Sequence, residues 1–133
     1  MRTFLLGFGV AVSLVLVAIQ FVPYGRNHTN PPVRQEPNWD SARTRELAVR
    51  ACYDCHSNET QWPWYSNVAP FSWLLQYDVV EGRRELNYSR LDQPQREATN
   101  SAKEVDDGDM PPSLYTLAHP ETRLSAAERD ELI

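Results

Sequence analysis

The sequence predicts an all-α chain, and three observations carry that expectation. No stretch alternates apolar and polar residues as a half-buried strand would. Ser or Asp followed three residues later by Glu or Gln marks helix starts at Asp92–Gln95 and Ser125–Glu128. The first long apolar run, Phe4 to Val22, holds no charged residue and only Ser13 and Gln20 as strongly polar ones.

The elements follow in order. Residues 1–22 read as a transmembrane anchor or signal segment, because about nineteen uncharged residues just suffice to cross a hydrocarbon core as a helix. Arg2 precedes the run. No clean A-x-A cleavage site stands before Tyr24, which favours an uncleaved anchor over a signal peptide. Residues 23–39 read as a linker, since Pro23, Pro31, Pro32 and Pro37 cannot continue a helix. Residues 40–133 read as one small domain. Asp40 or Ser41 caps a helix through Ala51, with Leu47, Ala48 and Ala51 on its apolar face. An irregular aromatic stretch follows, from Gln61 to Tyr65, and then Asn67 to Pro70. A second helix starts at Ser72 and ends before the Gly82–Asn87 region or slightly beyond it. A third starts at Asp92, with Pro94 in its first turn, and stops at Asp107-Gly108-Asp109. Met110-Pro111-Pro112 reads as a rigid loop. A last helix starts at Ser125, and its run to Ile133 is short enough that a longer helix is expected.

Composition narrows the function classes. The net charge of −5 over 133 residues, without a basic patch, argues against nucleic acid as a partner. A domain of this size buries only a modest fraction of its surface, so a large apolar cofactor would help to hold it together.

The sharpest signal is Cys52-Tyr53-Asp54-Cys55-His56. The chain has two cysteines, and both lie in this pentapeptide. C-x-x-C-H is the attachment signature of c-type haem. Two thiols three positions apart suit the two vinyl groups along one porphyrin edge, and the following His supplies an axial nitrogen. Other readings stay open. A thioredoxin-type pair would follow a strand in a βαβ pattern, and none precedes Cys52. A zinc site would want a second ligand pair, and His119 is the only later histidine. A disulfide between Cys52 and Cys55 is the remaining alternative. Covalent haem is added only after export, so the domain is expected outside the cytoplasm.

The order of helix, C-x-x-C-H, irregular loop, helices, Met-Pro and final helix resembles a class I c-type cytochrome. Three segments, CYDCHSNETQWPWYSNVAPFSWLL, DVVEGRRELNYS and GDMPPSLYTLAHPETRLSAAE, resemble more closely a family of small bacterial monohaem proteins described as haem-binding domain proteins. The resemblance implies one covalent haem c, a cytochrome c-like fold and a place on the outer side of the bacterial inner membrane, in the periplasm. It also implies ligand roles. His56 and Met110 are the expected axial ligands, and thioether ligation raises the potential and closes the sixth position. His119 is the second candidate for that position. The carbonyl of Pro70 is a candidate acceptor for the His56 Nδ1–H, with an ordinary helix-start proline as the equal alternative. Trp62, Trp64, Tyr65 and Trp73 are expected to pack on haem or to bond its propionates, or to form plain core. Arg83, Arg84 and Arg123 are weaker propionate candidates.

The function read from these residues is a membrane-anchored carrier of single electrons with redox-protein partners, and not an enzyme. The alternatives are a ligand-binding or sensory haem protein, for which no distal base and arginine pair is recognisable, and a haem subunit of a larger membrane complex.

Overall fold

The computed structural model describes residues 1–133 apart from the side chain of Arg2. Among the described residues it contains α-helices and short 3-10 turns but no strand. The helices are α1 (Arg2–Ile19), α2 (Ala42–Ala51), α3 (Tyr53–His56), α4 (Phe71–Glu85), α5 (Ser101–Asp106), α6 (Ser113–Ala118) and α7 (Ala126–Leu132). The all-α expectation holds. Contacts divide the chain into two compact units. One comprises residues 1–29 and 62–78, the other residues 30–61 and 79–133.

The first unit begins with α1, whose large apolar side chains, from Phe4 to Val17, are exposed. The helix stops at Ile19, three residues before the expected end of the apolar run. The chain turns there because Gln20 pairs reciprocally with Ala69. Its Nε2 donates to the Ala69 carbonyl at 2.9 Å, and its Oε1 accepts from the Ala69 N–H at 3.0 Å. At about 1.5 Å per residue, α1 falls short of a hydrocarbon core of about 30 Å. Among the described residues, no helix is long and apolar enough to cross a membrane. The positive charge expected ahead of the run belongs to Arg2, whose side chain lies outside the described residues. Gly25 adopts φ +80° against the start of α4; a Cβ there would meet the Ser72 carbonyl oxygen at 2.1 Å. Only glycine tolerates both conditions.

The second unit is built on α2. Ser41 caps it, its Oγ accepting from the Thr44 N–H at 3.0 Å. Leu47, Ala48 and Ala51 are buried, on the face the periodicity marks. Leu47 and Ala51 join Val105 and Leu124 in the core cluster. The α7 start forms the capping box expected of Ser125 and Glu128. Glu128 also receives Arg50 at 2.7 Å and Arg43 at 3.1 Å, which ties α7 to α2.

Two helical expectations are corrected. The third helix starts at Ser101, not Asp92, because Gln95 does not close a capping box. Its Oε1 accepts from the Asn87 N–H and its Nε2 donates to the Arg90 carbonyl, which makes 87–95 a folded loop. α6, absent from the sequence reading, begins directly behind Pro111-Pro112 with Pro112 at its N-cap. Within the proline-rich stretch, residues 34–35 pair with 89–91. The Arg34 N–H donates to Ser89 and the Leu91 N–H to Gln35. Prolines supply free carbonyls in the same stretch: Asn58 Nδ2 donates to the Pro32 carbonyl at 2.9 Å.

Candidate functional site

The pentapeptide is a single helical turn. Cys52 closes α2 and opens α3, and its carbonyl accepts from the N–H groups of Cys55 (3.2 Å) and His56 (2.9 Å). Neither cysteine is in a disulfide. Burial pushes the Cys52 thiol up to about 12. It is therefore a neutral thiol set against the apolar cluster rather than an exposed thiolate.

His56 is oriented by the last turn of α4. Its Nδ1 lies 3.0 Å from the carbonyl oxygens of both Gly82 and Leu86. Carbonyls only accept, so Nδ1 must carry the proton and the Nε2 lone pair is left for another partner. Desolvation by burial holds His56 below its ordinary value of 6.5, outweighing the two carbonyls that act in the opposite direction. The ring is thus neutral and fixed in one tautomer, the form a metal-ligating histidine needs.

The approach of α4 to the turn depends on Gly82. A Cβ at this position would meet the Cys55 carbonyl oxygen at 2.5 Å and its carbonyl carbon at 3.0 Å. Next to it, Arg83 clamps the residues after the motif. Its Nε donates to the Ser57 carbonyl at 2.7 Å, and its Nη2 to Asn30 Oδ1 and Thr60 Oγ1, both at 2.9 Å. Behind these lies a buried polar network. Asn87 Nδ2 donates to Asn58 Oδ1, the Asn58 N–H to Ser89 Oγ, and the Ser89 N–H to Asn87 Oδ1. GRRELN, within the middle segment of the resemblance, is the stretch that positions the histidine.

Met110, late in the chain, packs on the core cluster of the same unit. It is half-buried against the cluster of Leu47, Ala51, Val105 and Leu124, as Cys52 is. The structure thus puts Cys52 and Met110 on one apolar cluster although 58 residues separate them. His119 is engaged elsewhere, its Nδ1 3.2 Å from Glu121 Oε1 and its ring stacked on Tyr115.

The structure gives the other expected positions the following partners. Pro70 is not the acceptor for His56. Its carbonyl takes the N–H groups of Trp73 and Leu74 and opens α4, the helix-start alternative. Trp62, Trp64, Tyr65 and Trp73 belong to the first unit. Trp62 stacks on His28 at 4.5 Å, while Trp64 is 80% exposed. The indole N–H groups of Trp62 and Trp73 are buried without a hydrogen-bond partner. Arg83 is committed to backbone and side-chain oxygens, Arg84 to Glu81 and Glu85, and Arg123 to the Thr116 carbonyl.

Sequence reasoning missed Gly82, Leu86 and Asn58, and it singled out Arg83 as a propionate candidate rather than as the clamp on the residues after the motif. Gly82 carried a readable signal, since a glycine inside an otherwise regular helix often marks a close backbone approach.

The donor set fits a haem iron: two unbridged cysteines in one turn, a neutral histidine with Nδ1 engaged, and a thioether on the same apolar cluster. No curated protein and no solved structure matches the chain. Residues 14–133 match the haem-binding domain family, and the chain belongs to that family.

Proposed function

We propose that this protein is a c-type monohaem electron carrier that works outside the cytoplasm, held at a bacterial inner membrane by its N-terminal apolar segment. The observation that carries the reading is the convergence of Cys52 and Met110 on one cluster beside a histidine whose tautomer is preset. Cys52 and Cys55 would hold haem covalently, and His56 and Met110 would bind its iron. When bound, haem supplies one-electron exchange between Fe(II) and Fe(III). The chain's own work is positional. Carbonyls of Gly82 and Leu86 fix the imidazole, Arg83 and Asn58 hold the turn, and Pro111-Pro112 stiffen the segment behind Met110. Side chains already held in place would leave little to reorganise when the bound group changes oxidation state. The exposed apolar side chains of α1 support membrane attachment, and the acidic residues from Glu104 to Asp109 support a basic redox protein as partner.

The test is the optical spectrum of the protein made with the c-type maturation machinery. The expected result is a c-type haemochrome in pyridine, a low-spin oxidised form and a thioether-to-iron band. A high-spin oxidised form would instead favour the ligand-binding or sensory reading. Absence of covalent haem would refute the reading.

A further inference from the structure

α6 lacks the usual reason to stay in place. None of its residues is buried, Leu114 and Leu117 are 65% and 68% exposed, and it packs on the short turn Pro120–Thr122. Yet it begins three residues after Met110, behind two prolines. A hydrogen bond links it to the attachment turn. Tyr115 Oη donates to Asp54 Oδ2 at 2.6 Å. Asp54 lies between the two cysteines, and it is itself held. Its Oδ1 accepts from the Gln61 N–H at 2.8 Å, and its carbonyl accepts from Thr60 Oγ1 at 2.7 Å. The carboxylate is therefore a fixed acceptor, and the Tyr115 ring is steadied by its stack on His119, 4.6 Å between centroids.

We propose that Asp54 and Tyr115 are positioning residues for Met110. Their bond holds α6, and through the stiff Pro111-Pro112 link the Met110 side chain, at a set distance from the turn that carries His56. The inference rests on Met110 being the sixth ligand. Loss of the bond raises the fraction of molecules in which Met110 is off the iron, and an external ligand then competes more easily. A hydrogen bond to a charged group corresponds to about a tenfold to hundredfold change in such an equilibrium.

The experiment measures cyanide affinity and the thioether-to-iron band of the oxidised holoprotein, at a temperature where every variant is folded. Tyr115→Phe and Asp54→Asn are compared with wild type and with Arg43→Ala, which removes ion pairs to Glu46, Glu128 and Glu131 that are not part of this link. The expected result is at least tenfold tighter cyanide binding and a weakened band in Tyr115→Phe, a smaller effect in the same direction in Asp54→Asn, and no change in Arg43→Ala. A wild-type band with unchanged cyanide affinity in both link variants overturns the positioning role. An equal shift in Arg43→Ala overturns it too, by showing general loosening. A wild type without the band refutes Met110 ligation itself, and the inference with it. If Tyr115→Phe does not fold, Asp54→Asn decides alone.

Discussion

Gly82→Ala tests how closely α4 must approach the pentapeptide. Helix propensity alone predicts a gain, because alanine is better than glycine in a helix interior by about 1 kcal/mol. Gly82 does not have positive φ, so its backbone conformation does not oppose the substitution. The opposition is steric. The new Cβ would stand 2.5 Å from the Cys55 carbonyl oxygen, 3.0 Å from its carbon and 3.1 Å from its Cβ. These are the backbone and first side-chain carbon of the pentapeptide turn, not the end of a flexible side chain. Either α4 or the turn must move. Overpacking of this kind costs about 1–3 kcal/mol, and a backbone obstacle puts it at the upper end. The net expectation is a loss of about 2 kcal/mol in urea unfolding of the holoprotein. The same movement pulls the Gly82 carbonyl from His56 Nδ1, so the reduction potential should shift as well. The assay is a paired urea titration and redox titration of wild type and variant. A variant as stable as wild type, with an unmoved potential, would show that the turn does not depend on this approach.

Three further predictions concern the surroundings. Asn58→Ala strands Asn87 Nδ2 in a buried place and removes the donor to the Pro32 carbonyl, and should lower stability by about 1–3 kcal/mol in urea unfolding, with m-value unchanged. Arg83→Met removes donors from the Ser57 carbonyl, Asn30 and Thr60, and should cost about 2 kcal/mol; Arg83→Lys, without the planar fork, should recover only part of it. Glu128 is held at about 2, below its ordinary 4.5, first by the Ser125 N–H and then by Arg50. The unfolded chain therefore binds the extra proton between those values. The contribution of Glu128 is complete above about pH 4.5 and is lost as pH falls toward about 2. Glu128→Gln should flatten that part of the stability–pH curve and leave its slope near pH 7 unchanged; an unaltered acid limb would refute the assignment.

The all-α class, α2 with its buried face, the capped start of α7 and the pentapeptide were legible in the sequence because each is local. Periodicity, a cap three residues from its partner and a five-residue motif need no knowledge of the rest of the chain. The family match over residues 14–133 agrees with what the pentapeptide implied about haem. The reading failed where a local signal had a stronger distant competitor. Gln95 looks like the end of a capping box, but its amide serves Asn87 and Arg90, so α5 starts nine residues late. Pro70 stands at a suitable separation for a histidine acceptor, but separation along the chain does not say which carbonyl faces Nδ1. The answer, Gly82 and Leu86, depends on how α4 runs past α3, and that follows from the absence of one side chain at Gly82. The same holds for Met110 and Tyr115. The sequence determined that a thioether and two thiols are available. The tertiary structure decided that Met110 and Cys52 share a cluster, and that Tyr115 reaches Asp54, because packing and hydrogen bonding act between residues that are close in space, however far apart they are in the chain.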